Sequence, residues 1–148
     1  MITRRIVLLL LLSLTIVAGL LSRRWDGVPD WIREHAGDAL WTMAVYWSLA
    51  IIWPRLNAKV LLLASLGISV AVEFSQLLQW RWLVDLRQTT VGALLLGRGF
   101  LVADLFRYSA GSAIAFVLDV TGKWFFQGRA RTDKRMAESE GDSGDRLA

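Results

Sequence analysis

Residues 60–79 read Val-Leu-Leu-Leu-Ala-Ser-Leu-Gly-Ile-Ser-Val-Ala-Val-Glu-Phe-Ser-Gln-Leu-Leu-Gln. As a helix this run is long enough to cross the roughly 30 Å hydrocarbon layer of a bilayer, yet it carries a carboxylate, Glu73. A charge at that depth costs about 2.5–3.5 kcal/mol on insertion scales and is tolerated where it faces protein or water and has a partner. The run therefore constrains everything around it: it asks for a membrane protein of several spans with a polar interior.

The rest of the chain fits that demand. Its 148 residues are 55% hydrophobic, which leaves room for about four spans of about 20 residues in one membrane domain. A net charge of +4 would suggest nucleic acid in a soluble protein. Here the Lys and Arg residues fall between apolar segments and in the tail, where they read as topology signals and lipid-headgroup contacts, with no nucleic-acid partner. The absence of cysteine excludes disulfides, thiolate metal sites and cysteine nucleophiles. Most of the eight tryptophans sit near span ends, where amphipathic rings anchor at the interface.

Arg4 and Arg5 precede an apolar run over residues 6–21 that is longer than a signal-peptide core and lacks a small-residue cleavage site, so it reads as an uncleaved first span. A polar, turn-rich loop at residues 22–34 follows, then a second span over residues 36–53 closed by Pro54. A basic turn with Arg55 and Lys59 leads into the third span. After the aromatic and charged segment from Trp80 to Gln88 two readings are open. Either residues 89–106 and 109–126 are two spans, or residues 90–97 form a short re-entrant or interfacial piece before one span over residues 100–121. The positive-inside rule favours the second. Four spans gather Arg4, Arg5, Arg55, Lys59, Lys123, Arg129, Arg131, Lys134 and Arg135 in the cytoplasm, whereas five would export the basic tail. The expectation is an all-α bundle of four transmembrane helices over residues 1–126, with both termini cytoplasmic. Residues 127–148 are too polar to bury a core and are expected to be a disordered charged tail.

Polar residues recur at helical spacing on three of the spans. Ser65, Ser69 and Glu73 follow i, i+4, i+8, with Gln76 at i+3 from the acid; Asp38, Thr42 and Tyr46 share a face, as do Asp104, Tyr108, Gly111 and Ser112. Packing these stripes against one another is the economical solution, because lipid would leave their polar groups unpaired. Arg81, Arg87 and Arg98 lie in the connection between Glu73 and Asp104, close enough in sequence to pair with the acids. The expected result is an outward-facing polar pocket of Asp38, Glu73, Gln76, Arg81, Arg87, Arg98, Asp104 and Tyr108.

Plainer readings stand beside this one. Asp38 follows Gly37 where the second helix is expected to start and suits an N-cap or first-turn acid. Glu73 with an arginine would be a structural ion pair, and Asp104 with Arg107 an i, i+3 pair within one helix. Gly92, Gly97 and Gly99 suit tight packing and a bend, since no Walker-type spacing is present. His35 stands alone, so no metal site is expected, and no cofactor motif is present. No hydrolase, zinc-protease or triad signature appears.

Several segments resemble a known family. Gly37-Asp38-Ala39-Leu40-Trp41 with Val45-Tyr46, Glu73-Phe74-Ser75-Gln76-Leu77, Arg87-Gln88-Thr89-Thr90-Val91-Gly92, and Asp104-Leu105 with Tyr108 and Gly111 are similar to the bacterial membrane family known only as domain-of-unknown-function family 2809. The Glu-x-x-Gln pair and the Asp-x-x-x-Tyr-x-x-Gly run also resemble the VanZ-like pattern, some of whose members are linked to glycopeptide tolerance, with Tyr108 where that family usually has Asn. The resemblance implies a bacterial inner-membrane location and a shared polar site, and supplies no reaction. The expected role is non-enzymatic: recognition of a membrane lipid or lipid-linked envelope precursor, with the arginines on its anionic part. The alternatives are an enzyme modifying such a lipid, with Glu73 or Asp104 as base, and a small transporter or proton path. The oligomeric state, a homo-oligomer included, is left open.

Overall fold

The computed structural model describes residues 2–24, 27, 29–97 and 101–145, and all regular structure among them is helical. The elements are α1 (Ile2–Arg24), α2 (Asp30–Ile52), α3 (Ala58–Ser75), α4 (Arg81–Gln88), α5 (Thr90–Leu96) and α6 (Val102–Asp145). Two stretches are long and apolar enough to cross a membrane, Arg4–Ser22 of α1 and Ala58–Ser75 of α3. The other two long helices carry charged residues within them, Arg33, Glu34 and Asp38 in α2 and Asp104, Arg107 and Asp119 in α6.

Local chemistry explains most of the ends. Pro54 cannot supply the N–H that would continue α2, and the Trp53 N–H closes the helix on the Leu49 carbonyl at 2.8 Å. Asn57 caps α3, its side chain accepting from the Lys59 N–H at 3.0 Å. Thr89 both ends α4 and caps α5, where its hydroxyl accepts from the Gly92 N–H at 3.0 Å. Any side chain at Gly92 would collide with the Leu86 carbonyl, so this turn admits glycine alone. Gly97 ends α5 at φ 67°, a left-handed conformation that glycine adopts without strain.

Three boundaries differ from the sequence expectation. α2 starts at Asp30, so the loop before it is shorter, and Asp38 lies two turns into the helix instead of capping it. α3 stops at Ser75 although the apolar run continues, because residues 76–78 tighten into a turn with Gln76, Leu77 and Leu78 N–H groups on the carbonyls three residues back, at 3.0–3.1 Å. α6 continues through Asp145, past Gln127, where composition suggested order would end; Ala130, Arg131, Lys134, Arg135, Met136, Ala137 and Glu138 are all good helix formers.

The chain divides into two compact units at Phe116 and Val117. The second is the continuation of α6, with Lys123 paired to Asp119 one turn back at 2.6 Å. In the first, the apolar core is small: Leu8 of α1, Tyr46, Trp47 and Ala50 of α2, Leu61 of α3 and Ala115 of α6. Much of the remaining interior is polar, with Thr42, Ser65, Ser69, Glu73, Gln76, Asp104 and Ser112 all buried. On α3 the buried residues are Ala58, Leu61, Ser65, Ser69 and Glu73, whereas Leu63 is 68% and Phe74 54% exposed.

Candidate functional site

The polar interior is stitched together by side chains one helical turn apart. From α3, Ser69 exchanges a hydrogen bond with Thr42 of α2 at 3.1 Å, and Ser65 one with Ser112 of α6 at 3.2 Å. Gly111 lets α6 approach the Ala39 backbone of α2 closely enough that a Cβ there would run into it. The three stripes thus meet along one seam.

At the upper end of the seam lie the acids. Glu73 is fully buried and accepts two hydrogen bonds, from the Tyr108 hydroxyl at 2.9 Å and from the Leu101 backbone N–H at 2.6 Å. Leu101 immediately precedes α6, so the carboxylate sits where unpaired amides and the helix dipole favour negative charge. Arg107 bridges Asp38 of α2 at 3.1 Å and Asp104 of its own helix at 2.5 Å. Gln76 donates through Nε2 to the Leu96 carbonyl at 2.7 Å, tying the end of α3 to that of α5. A Cβ on Gly97 would strike that same amide nitrogen.

Of the residues singled out from sequence, Asp38, Glu73, Gln76, Asp104 and Tyr108 are brought together. Two of the arginines, Arg81 and Arg87, are not placed as expected. Arg87 turns back on its own connection, donating to the Ser75 and Leu78 carbonyls and the Ser75 hydroxyl, and so holds the end of α3. Arg81 is exposed at the start of α4, and Arg98 lies outside the described residues. Among the described residues the cation that meets Asp38 and Asp104 is Arg107, whose spacing from Asp104 is visible in the sequence but whose bond to Asp38 is not. Among the described residues Glu73 is met by a tyrosine and a main-chain amide and not by an arginine.

A cavity of about 30 Å³ lies between Asp38, Trp41, Gln76, Gly97 and Tyr108, the size of one water molecule. Its wall is rich in acceptors. The Gln76 Oε1 is buried without a partner, and flipping the amide would set two oxygens against each other at Leu96, so the orientation is fixed. The Trp41 and Tyr108 rings stand 6.2 Å apart, tilted. Beside this cavity, and sharing Trp41, Leu94 and Leu95 with it, runs an apolar groove of about 420 Å³ between α1 and α2. Among the described residues no three acidic or histidine side chains are arranged to hold a metal ion.

These features define an all-helical protein in which two helices are fit to cross a membrane and a charged cluster is buried between helices. The chain belongs to the family described as Protein of unknown function (DUF2809), whose model matches residues 27–112. The matched span runs from the loop before α2 to Ser112 and so contains every residue of the seam and of the acid cluster. The VanZ-like likeness rests on the two short motifs alone. No solved structure matches the chain.

Proposed function

We propose that this is a multi-pass protein of the bacterial inner membrane, crossing it with α1, α2, α3 and the first half of α6. On this reading both termini are cytoplasmic and α4–α5 lies at the outer surface. The polar cluster is a recognition site for a membrane lipid or a lipid-linked envelope precursor. The single observation that carries this is the inverted burial of α3, with serines and Glu73 inside and Leu63, Ile68 and Phe74 outside. In water such a helix would expose its apolar face at large cost; in a bilayer that face meets hydrocarbon and the polar one must be internal. Exposed Trp80, Arg81 and Trp82 at the start of α4 suit the headgroup region.

The cluster's chemistry also narrows what it would hold. Among the described residues its carboxylates outnumber the guanidinium that reaches them, and its spare capacity is in acceptors. A ligand that offers hydrogen-bond donors fits better than the purely anionic one the arginines suggested.

The test is the lipid that travels with the protein. The full chain purified in mild detergent is expected to retain a lipid set narrower than that of the membrane it came from, and the Asp38→Asn variant, which leaves Arg107 paired with Asp104, to lose that selectivity while keeping its elution profile. A native protein whose bound lipids mirror the bulk membrane would overturn the proposal.

A further inference from the structure

The cavity and the groove share three wall residues, and their chemistries are opposite. One is a water-sized chamber lined by Asp38, Tyr108 and Gln76, whose Oε1 is unpartnered; the other is long and apolar. From Leu12 to Leu20 the groove follows α1 for about 12 Å at 1.5 Å per residue. Its volume, about 420 Å³, lies within the roughly 300–1,000 Å³ of small-molecule sites.

Three further observations bear on the occupant. Among the described residues, Asp38 and Asp104 share a single cation, Arg107, and Glu73 is met by two neutral donors, so these three carboxylates outnumber the cation bonded to them. Gln76 is 7% exposed and presents an acceptor that nothing in the fold satisfies, a costly state for a buried carbonyl. Trp41 stands between chamber and groove, and an aromatic face favours an adjacent cation.

Resting on the reading of the cluster as a lipid site, we infer that the occupant is a lipid with a primary ammonium headgroup, such as phosphatidylethanolamine. Its –NH3+ enters the chamber beside Asp38, Gln76 Oε1 and Trp41, and one acyl chain lies in the groove. A primary ammonium is about the size of the water the chamber admits and carries three donors for its acceptors. A trimethylammonium has the same charge, is too large and donates nothing. A glycerol headgroup has donors but brings no positive charge to answer the excess of carboxylates. Within a bilayer the groove supplies fit without a hydrophobic driving force, since the surrounding tails are equally apolar. Headgroup selectivity therefore resides in the chamber.

The experiment offers the delipidated full chain, in detergent, phosphatidylethanolamine, phosphatidylcholine and phosphatidylglycerol with identical acyl chains, and reads retained lipid by native mass spectrometry. The native chain is expected to retain phosphatidylethanolamine at least about tenfold over each of the others, a difference of about 1.4 kcal/mol. Asp38→Asn or Gln76→Leu should bring the preference down to threefold or less. Ala44→Leu, which fills the groove without touching the chamber, should weaken all three lipids alike. Equal retention of phosphatidylethanolamine and phosphatidylcholine by the native chain would overturn the ammonium assignment without any variant having to fold. Preference for phosphatidylglycerol would overturn it while leaving the lipid reading standing. Retention of none of the three lipids would overturn the ammonium assignment and, of the lipid reading, leave only the lipid-linked precursor. A preference for phosphatidylethanolamine that survives both Asp38→Asn and Gln76→Leu would place the ammonium elsewhere and defeat the inference.

Discussion

Arg107 is shared between carboxylates on two helices, and its own side chain is 16% exposed. Taking away one member of a largely buried ion pair costs more than the pair contributes, because the remaining charges lose their partner while staying out of water. Arg107→Met, which keeps the stem and removes the charge, is therefore expected to destabilise the protein by about 3–5 kcal/mol. Tyr108→Phe removes one of two donors to Glu73 and keeps the ring against Trp41, so about 1.5–3 kcal/mol is expected, the range for a hydrogen bond to a charged acceptor. Thermal unfolding of both variants in one detergent checks the order. If Arg107→Met proved the milder of the two, Asp38 and Asp104 would have to be satisfied by something other than Arg107.

At the scale of the helices, glycines divide into those that permit a contact and those that merely weaken a helix. Gly111 faces the Ala39 backbone, which cannot give way as a side-chain tip could. Gly111→Ala should push α6 from α2 and cost about 1–3 kcal/mol, as overpacking does. Gly67 has open space where its Cβ would be, so Gly67→Ala should stabilise α3 by up to about 1 kcal/mol through helix propensity alone. Opposite shifts in the unfolding midpoint are the expected outcome; a neutral Gly111→Ala would mean that α6 and α2 have slack between them. The same level shows what could be read before the structure was known. The three polar stripes are visible in sequence because helical periodicity puts Ser65, Ser69 and Glu73 on one face whatever surrounds them. Their partners were hidden wherever a partner is main chain. Glu73 takes the N–H of Leu101, Arg87 takes the carbonyls of Ser75 and Leu78, and Gln76 takes that of Leu96. Backbone groups are alike at every position, so no residue letter announces them, and matching the acids to Arg81 and Arg87 by nearness in sequence does not find their partners. The early end of α3 has the same origin: Leu77 and Leu78 prolong the apolar pattern, and only Arg87 on the freed carbonyls shows where the helix stops.

For the molecule as a whole, the number of crossings follows from which elements are long enough to make one. α5 has 7 residues, about 10 Å of helix, far short of a 30 Å hydrocarbon layer. α6 runs unbroken through the region where two spans had to be separated in the five-span alternative. At 44 residues it is about twice the length a bilayer requires, so on the proposed reading only its first half is needed for a crossing. Between the turn at Gly27 and Ser143 near the end of α6 lie α2, α3 and the first half of α6, an odd number of crossings if each spans. With no native cysteine, single replacements Gly27→Cys and Ser143→Cys can be probed in intact cells with a membrane-impermeant thiol reagent. Labelling at 27 with protection at 143 is the expected result, and it sets the acid cluster in the outer half of the bilayer. The reverse pattern would keep the crossings and invert the bundle, turning the cluster and its groove toward the inner leaflet. Equal behaviour at the two positions would mean that one of the three helices does not cross. The helix to suspect first would then be α2, because it alone has an acid, Asp38, only 75% screened from solvent at its side chain within the length it would need to span.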